Sequence, residues 1–333
     1  MSASRRSWPL HCRVALVAAI DAAAEQFPRS GEDEARRIHD VRKTLKRAAG
    51  LARLFEPLVG APADAARAAL DAARRSVGRA RDLDVLPGVL ARMNAPAKAR
   101  DILLAAIGAQ RDAERRAHKA FDAGAVAAEL SALARAVEGW RVEAAGAAPL
   151  LEAVRRTYRA AQRRGQRALA SRAPADLHAL RARVVDLSYQ LATLEPAWPE
   201  MIRTFDRELR RLRQTLGDHN DLTVLAAFVH GRPELSREET EALLALIARR
   251  RRPLERRAGE RFARLFAERP SAFERRLAAY LERPQHKPRA VAARPIAAAA
   301  AKAPAKAKAA APPPAPAKPR AHAPAATARP GTA

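Results

Sequence analysis

The sequence predicts an all-α protein whose two halves share one architecture through an internal repeat, followed by a disordered C-terminal tail. Three observations predict it. Between residues 9 and 282, apolar positions recur at helical spacing and no alternating strand pattern competes with them. The stretch "RRSVGRARDLDVL" at 74–86 returns as "RQTLGDHNDLTVL" at 213–225, with six of thirteen positions identical at an offset of 139 residues. From Pro284 to the end, the chain holds 11 Pro and 9 Lys or Arg with no acidic residue, a composition that cannot close a core.

Helices are expected over 9–27, 31–58, 63–79, 82–92, 96–122 and 125–143, and again over 149–171, 175–195, 198–216, 221–230, 236–268 and 271–282. Pro9, Pro28, Pro62, Pro96, Pro149, Pro174, Pro196, Pro199 and Pro270 stand at or near these ends, where a missing N–H costs least. The domain thus spans 9–282, with one half at about 9–143 and the other at about 149–282, and the tail occupies 284–333. The same offset aligns "IHDVRKTLKRAAGLARLFEP" at 38–57 with "LHALRARVVDLSYQLATLEP" at 177–196, so His39 corresponds to His178 and Arg42 to Arg181. Gly78 and Gly217 occupy the place of a left-handed helix end, and Asp82 and Asp221 that of the next N-cap. The repeated stretch therefore reads as a joint between helices.

Of the formal net charge of +26, the tail carries +9 and the helical part +17. A genome rich in GC explains Arg in place of Lys, but it does not explain an excess of basic over acidic residues, which implies a polyanionic partner. Cys12 is the single cysteine, which excludes an internal disulfide and a thiolate metal cluster. No apolar run approaches the roughly 20 residues of a membrane span, so no membrane partner is expected and a cytoplasmic address fits. The oligomeric state stays open.

On a helical projection, His39, Arg42, Lys46 and Arg53 fall within about 60° of one another, beside an apolar stripe that includes Val41, Leu45, Ala48 and Phe55. The second copy keeps the apolar stripe and places His178 and Arg181 on its polar face, then lapses to Val185 where Lys46 stood. Like charges along one face repel. Solvation answers that repulsion in part, and a phosphate-bearing chain answers it better, because Arg offers a bidentate fork and Lys a point charge.

These residues resemble a known family. "HDVRKTLKR" at 39–47, "RARDLDVL" at 79–86, "HALRARVVDLSY" at 178–189 and "LGDHNDLTVL" at 216–225 are similar to the CHAD domain, the conserved histidine α-helical domain, over about 9–282. The resemblance implies two pseudo-symmetric helical bundles around a basic surface that binds inorganic polyphosphate, in proteins found at polyphosphate granules. On that basis His39, Arg42, Lys46 and Arg47 meet the family's basic pattern in the first copy, and His178, Arg181 and Tyr189 in the second. The second copy departs at Val185 and Ser188, where the family has basic residues. Arg203, Arg207, Arg210 and Arg211 on the following helix are candidates to supply the missing charge. Arg53 and Arg74 complete the candidate set; Arg74 corresponds to Arg213, and either has the alternative of balancing a joint Asp.

Enzyme readings find little support. The His39–Asp40 doublet of a metal-dependent phosphohydrolase becomes His178–Ala179 in the second copy, and Asp218, His219 and Asp221 become Arg79, Ala80 and Asp82 in the first. "EDEAR" at 32–36 fits the acidic pattern of triphosphate-tunnel domains but precedes a helix, and no Gly-rich phosphate loop is present. A binding protein with no cofactor and no metal is expected. The rival partner is DNA, because the tail is similar to those of linker-histone-like bacterial proteins, which bind DNA through charge without reading bases.

Overall fold

A computed structural model describes residues 7–27, 34–77, 80–118 and 122–282, and among these there is no strand. The tail at 284–333 and Gly78 lie outside the described residues. The helices are α1 (Trp8–Gln26), α2 (Glu34–Ala52), α3 (Glu56–Val59), α4 (Ala61–Ser76), α5 (Ala80–Ala91), α6 (Ala97–His118), α7 (Ala123–Glu138), α8 (Ala148–Ser171), α9 (Pro174–Thr193), α10 (Pro199–His230), α11 (Arg237–Leu265) and α12 (Pro270–Glu282). Single 3-10 turns follow α2 and α9, at Arg53–Phe55 and Glu195–Ala197.

Local chemistry sets the ends. Ser7 accepts from the Leu10 N–H at 3.4 Å with Pro9 in the first turn of α1, and Asp122 accepts from the Ala125 N–H at 2.9 Å to start α7. α11 begins with a complete capping box: Ser236 accepts from the Glu239 N–H at 3.1 Å while the Glu239 carboxylate accepts from the Ser236 N–H at 2.9 Å. Pro87 and Pro253 sit inside α5 and α11 without ending them.

The expected joint at 213–225 is a correction. α10 runs unbroken from 199 to 230, Gly217 is buried in mid-helix, and Asp221 is an interior helical residue, not an N-cap. Gly217 is small because of what packs on it: a Cβ there would lie 3.5 Å from both Nε and Nη2 of Arg181 on α9. In the first copy α4 does end, at Ser76, but α5 already begins at Ala80, so Asp82 is also inside a helix.

Two apolar cores result, and each takes helices from both halves of the sequence. The larger joins α1, α2, α4 and α7 to α8, α9, the first half of α10, the end of α11 and α12. The smaller joins α5 and α6 to the second half of α10 and the first part of α11. The division of the core therefore does not follow the division of the chain into 9–143 and 149–282. At the centre α2 and α9 pack on each other. A Cβ on Gly50 would lie 3.4 Å from the Asp186 Cα, and the Gln190 side chain donates from Nε2 to the Gly50 carbonyl at 3.1 Å.

α8 and α11 meet through a side chain. A Cβ on Gly165 would fall 1.9 Å from the Phe262 ring, which is itself 6% exposed and stacked on Phe266 at 5.0 Å. Gly165→Ala is therefore expected to destabilise the chain by about 1–3 kcal/mol through overpacking, although alanine is the better helix former by about 1 kcal/mol. A urea melt reads this directly, and an unchanged or raised midpoint would show that the Phe262 ring swings aside freely.

His219 ties α10 to α11. Its Nε2 lies 3.1 Å from the Arg251 Nε and 3.2 Å from the Glu255 Oε1, with 3% of the side chain exposed. Burial first, then the Arg251 charge, hold its pKa below the ordinary imidazole value of 6.5, against the pull of Glu255. As a neutral imidazole, His219 accepts the Arg251 N–H. Because the folded pKa is depressed, its contribution to stability is full above about pH 6.5 and is lost as pH falls, since the unfolded chain takes up a proton that the buried ring resists. The difference in thermal midpoint between the parent and His219→Gln is expected to narrow from pH 7.5 to pH 5.5; a constant gap would mean the ring does not titrate with unfolding.

Candidate functional site

The two His-xx-Arg helices of the sequence are α2 and α9, and their polar residues fare differently. On α2, His39 is exposed, Arg42 is buried at 9% exposure, and Lys46 and Arg47 are half-buried. Arg53, in the 3-10 turn, is held by carboxylates: its Nε lies 3.1 Å from Asp186 and its Nη1 3.5 Å from Glu56. Asp186 also receives Arg183 at 2.9 Å, and burial still pushes its carboxyl up against the pull of Arg183 and Arg53. Arg53 thus serves the contact between the two helices. Arg74 on α4 is paired one turn back with Asp71 at 3.2 Å.

On α9, His178 is exposed with Nδ1 2.9 Å from the Asn220 side-chain oxygen, and Arg181 lies over Gly217. Both therefore reach α10 at the repeated stretch. Val185 and Ser188, the departures from the family pattern, are buried, and Ser188 donates to Asp206 at 2.5 Å. That buried carboxylate on α10 takes a hydroxyl from α9 and the Arg210 guanidinium, at 2.7 Å, from its own helix.

The expected row of charge on α10 is largely neutralised within the chain. Arg203 pairs with Glu195 at 2.7 Å, Arg210 with Asp206 at 2.7 Å and Arg211 with Glu208 at 2.5 Å. Arg207 is exposed and donates to the Thr204 hydroxyl at 3.2 Å.

A different pair of cations comes together. Tyr189 on α9 has the Arg213 guanidinium of α10 5.7 Å from its ring centroid, and it is also the group that Arg47 of α2 senses electrostatically. Burial lowers the Arg47 pKa, and the Tyr189 hydroxyl opposes that shift. Neither Arg47 nor Arg213 forms an ion pair with any described residue. Arg47 comes from the first half of the chain, Arg213 and Tyr189 from the second. Arg213 is the residue that sequence reasoning underrated: its match to Arg74 is visible, but Arg74 faces an aspartate and Arg213 a phenol.

Among the described residues no group of three or more His, Cys, Asp or Glu side chains is placed to hold a metal ion, and no helix is long and apolar enough to cross a membrane. What the arrangement offers chemically is a set of guanidinium and imidazole donors around the Tyr189 phenol.

No curated protein matches the chain. Among solved structures, the crystal structure of the CHAD domain from the plant Ricinus communis matches with a TM-score of 0.54 at 18% identity, over 85% of this chain and 93% of that one. The family model for the CHAD domain matches residues 15–230, which take in both His-xx-Arg helices and the whole of α10. That match covers well over half of the chain, and this chain belongs to the CHAD domain family.

Proposed function

We propose that this protein binds inorganic polyphosphate, without converting it, on the basic surface where α2, α9 and α10 meet, and that it acts at polyphosphate granules. The reading draws on what the family resemblance implies, and one observation carries it for this chain. Arg47 and Arg213 converge on Tyr189 from the two halves with no carboxylate among the described residues to neutralise either. An unpaired, half-desolvated guanidinium is costly to keep unless an anion completes it. His39, Arg42, Lys46, His178 and Arg181 flank that centre on the same two helices and extend the surface along a linear polyanion. Arg203, Arg210 and Arg211 are secondary, since an incoming phosphate must compete with their carboxylates.

Two double variants that remove equal charge separate a built site from diffuse attraction. Arg47→Ala with Arg213→Ala is expected to weaken polyphosphate binding roughly a hundredfold, from two charge-assisted contacts of about 1.5–3 kcal/mol each. Arg203→Ala with Arg211→Ala removes exposed, already paired cations and is expected to cost less than about tenfold. Titration calorimetry with circular dichroism as the control for folding decides it, and equal losses would leave only non-specific affinity for polyanions.

Truncation before Pro284 tests the contribution of the tail. The shortened chain is expected to keep its polyphosphate affinity at low salt to within about tenfold while the slope of log K against log salt becomes shallower by somewhat under one unit per lost phosphate contact. If truncation abolishes polyphosphate binding, or if duplex DNA displaces polyphosphate equally from both forms, the helical surface is not the site.

A further inference from the structure

Between the end of α8, the first turn of α9 and the middle of α11 lies a cleft of ≈ 360 Å³, within the range of about 300–1,000 Å³ typical of small-ligand sites. It lies beside the place where side chains of α8 and α11 interlock. Gly165 receives the Phe262 ring and Gly259 lies under Leu169; beyond them α8 stops at Ser171 while α11 continues, and the space opens. The floor is apolar, with Leu177 from α9 and Leu169, one of the few large apolar side chains exposed to 36%. The rim carries Arg172, Arg252 and Arg256, none of which forms an ion pair with a described residue. Arg252 and Arg256 stand four residues apart on α11, where like charges repel. Glu255, the carboxylate of the cleft, lies 3.2 Å from the His219 Nε2.

Arg172 provides a second, independent observation. It closes α8 in the left-handed conformation at φ 51°, and among the described residues it is the one non-glycine residue with positive φ. Glycine fits that position without steric cost and is the residue that most often ends helices this way. An arginine held there, with its side chain lining a cleft, indicates that the guanidinium is worth more than the strain it brings.

The lining also selects the ligand. A bare phosphate chain would lose water against Leu169 and Leu177 and gain nothing in return. A ligand with a flat, largely apolar body and an oligophosphate arm satisfies both parts: the body on the leucines, the phosphates in the fork of three guanidiniums, and an amino group donating to Glu255. We propose that the cleft between the α8–α9 turn and α11 binds a nucleoside oligophosphate, with Leu169 and Leu177 under the base and Arg172, Arg252 and Arg256 on the phosphates. The cleft shares no lining residue with the Arg47–Tyr189–Arg213 surface, and the proposal does not depend on the reading of that surface.

Calorimetric titration of the full chain with ATP and with inorganic tripolyphosphate, at matched ionic strength, tests the proposal. ATP is expected to bind about tenfold more tightly, because only ATP buries an apolar face. Arg172→Gly removes the left-handed strain with the guanidinium, so its thermal midpoint is expected to be no lower than the parent's while ATP affinity falls about tenfold and long-chain polyphosphate affinity is unchanged. Arg252→Ala with Arg256→Ala should weaken ATP binding further. Tripolyphosphate binding as tightly as ATP, or full ATP affinity in Arg172→Gly, overturns the assignment. Loss of long-chain polyphosphate and ATP binding together in Arg172→Gly would make the cleft part of the polyphosphate surface and overturns it equally.

Discussion

Where α2 crosses α9, the absent side chain of Gly50 lets one backbone approach the Cα of Asp186 on the other, and Gln190 reaches across to donate to the Gly50 carbonyl. That carbonyl belongs to the last turn of α2, so the hydrogen bond fixes α9 against the point where α2 passes into its 3-10 turn. Around it, Asp186 gathers Arg53 and Arg183, so the crossing is fixed by packing, by a hydrogen bond and by charge at one point. The positions of Arg47 and Tyr189 relative to each other depend on this crossing, because one is on each helix within a turn of it.

The excess of positive charge is sorted by where carboxylates lie. Asp71, Asp186, Glu195, Asp206 and Glu208 each hold an arginine in place. At the buried Asp186 and Asp206, removing the arginine leaves an uncompensated buried anion, so Arg53, Arg183 and Arg210 belong to the architecture, whereas the exposed pairs only occupy their arginines. The arginines that face a phenol, a leucine floor or open solvent are the ones free to answer an external anion. Net charge alone does not distinguish the two groups, and neither does the spacing of arginines on a helix.

The all-helical fold and most helix ends were legible because their causes are local: proline at the start of a helix, an oxygen-bearing cap, an apolar stripe of helical period. The error at Gly217 is instructive for the same reason. Glycine and aspartate four residues apart form a good local signal for a joint, and the glycine is there instead to make room for a guanidinium from another helix. The candidate site was legible in part. The His-xx-Arg face of α2 could be drawn from one helix, and so could the pairing of Arg210 with Asp206 four residues back, whereas the hydroxyl of Ser188 turned inward to Asp206 and the approach of Arg213 to Tyr189 are contacts between helices whose distance is set by three-dimensional packing.

Because each core draws helices from both halves, a ribosome cannot release a finished first half. Trp8, at the start of α1, donates to the backbone carbonyl of Leu281 at 3.4 Å and shares its core with Leu277, so α1 waits for α12. Contacts that span nearly the whole domain must be closed against chain entropy before they reward folding, which slows it and prolongs the exposure of apolar helix faces. During synthesis the growing chain therefore carries α1, α2 and α4 as half-covered surfaces until α8 and α9 arrive, and it is in that interval, more than in the finished protein, that it has most need of a chaperone.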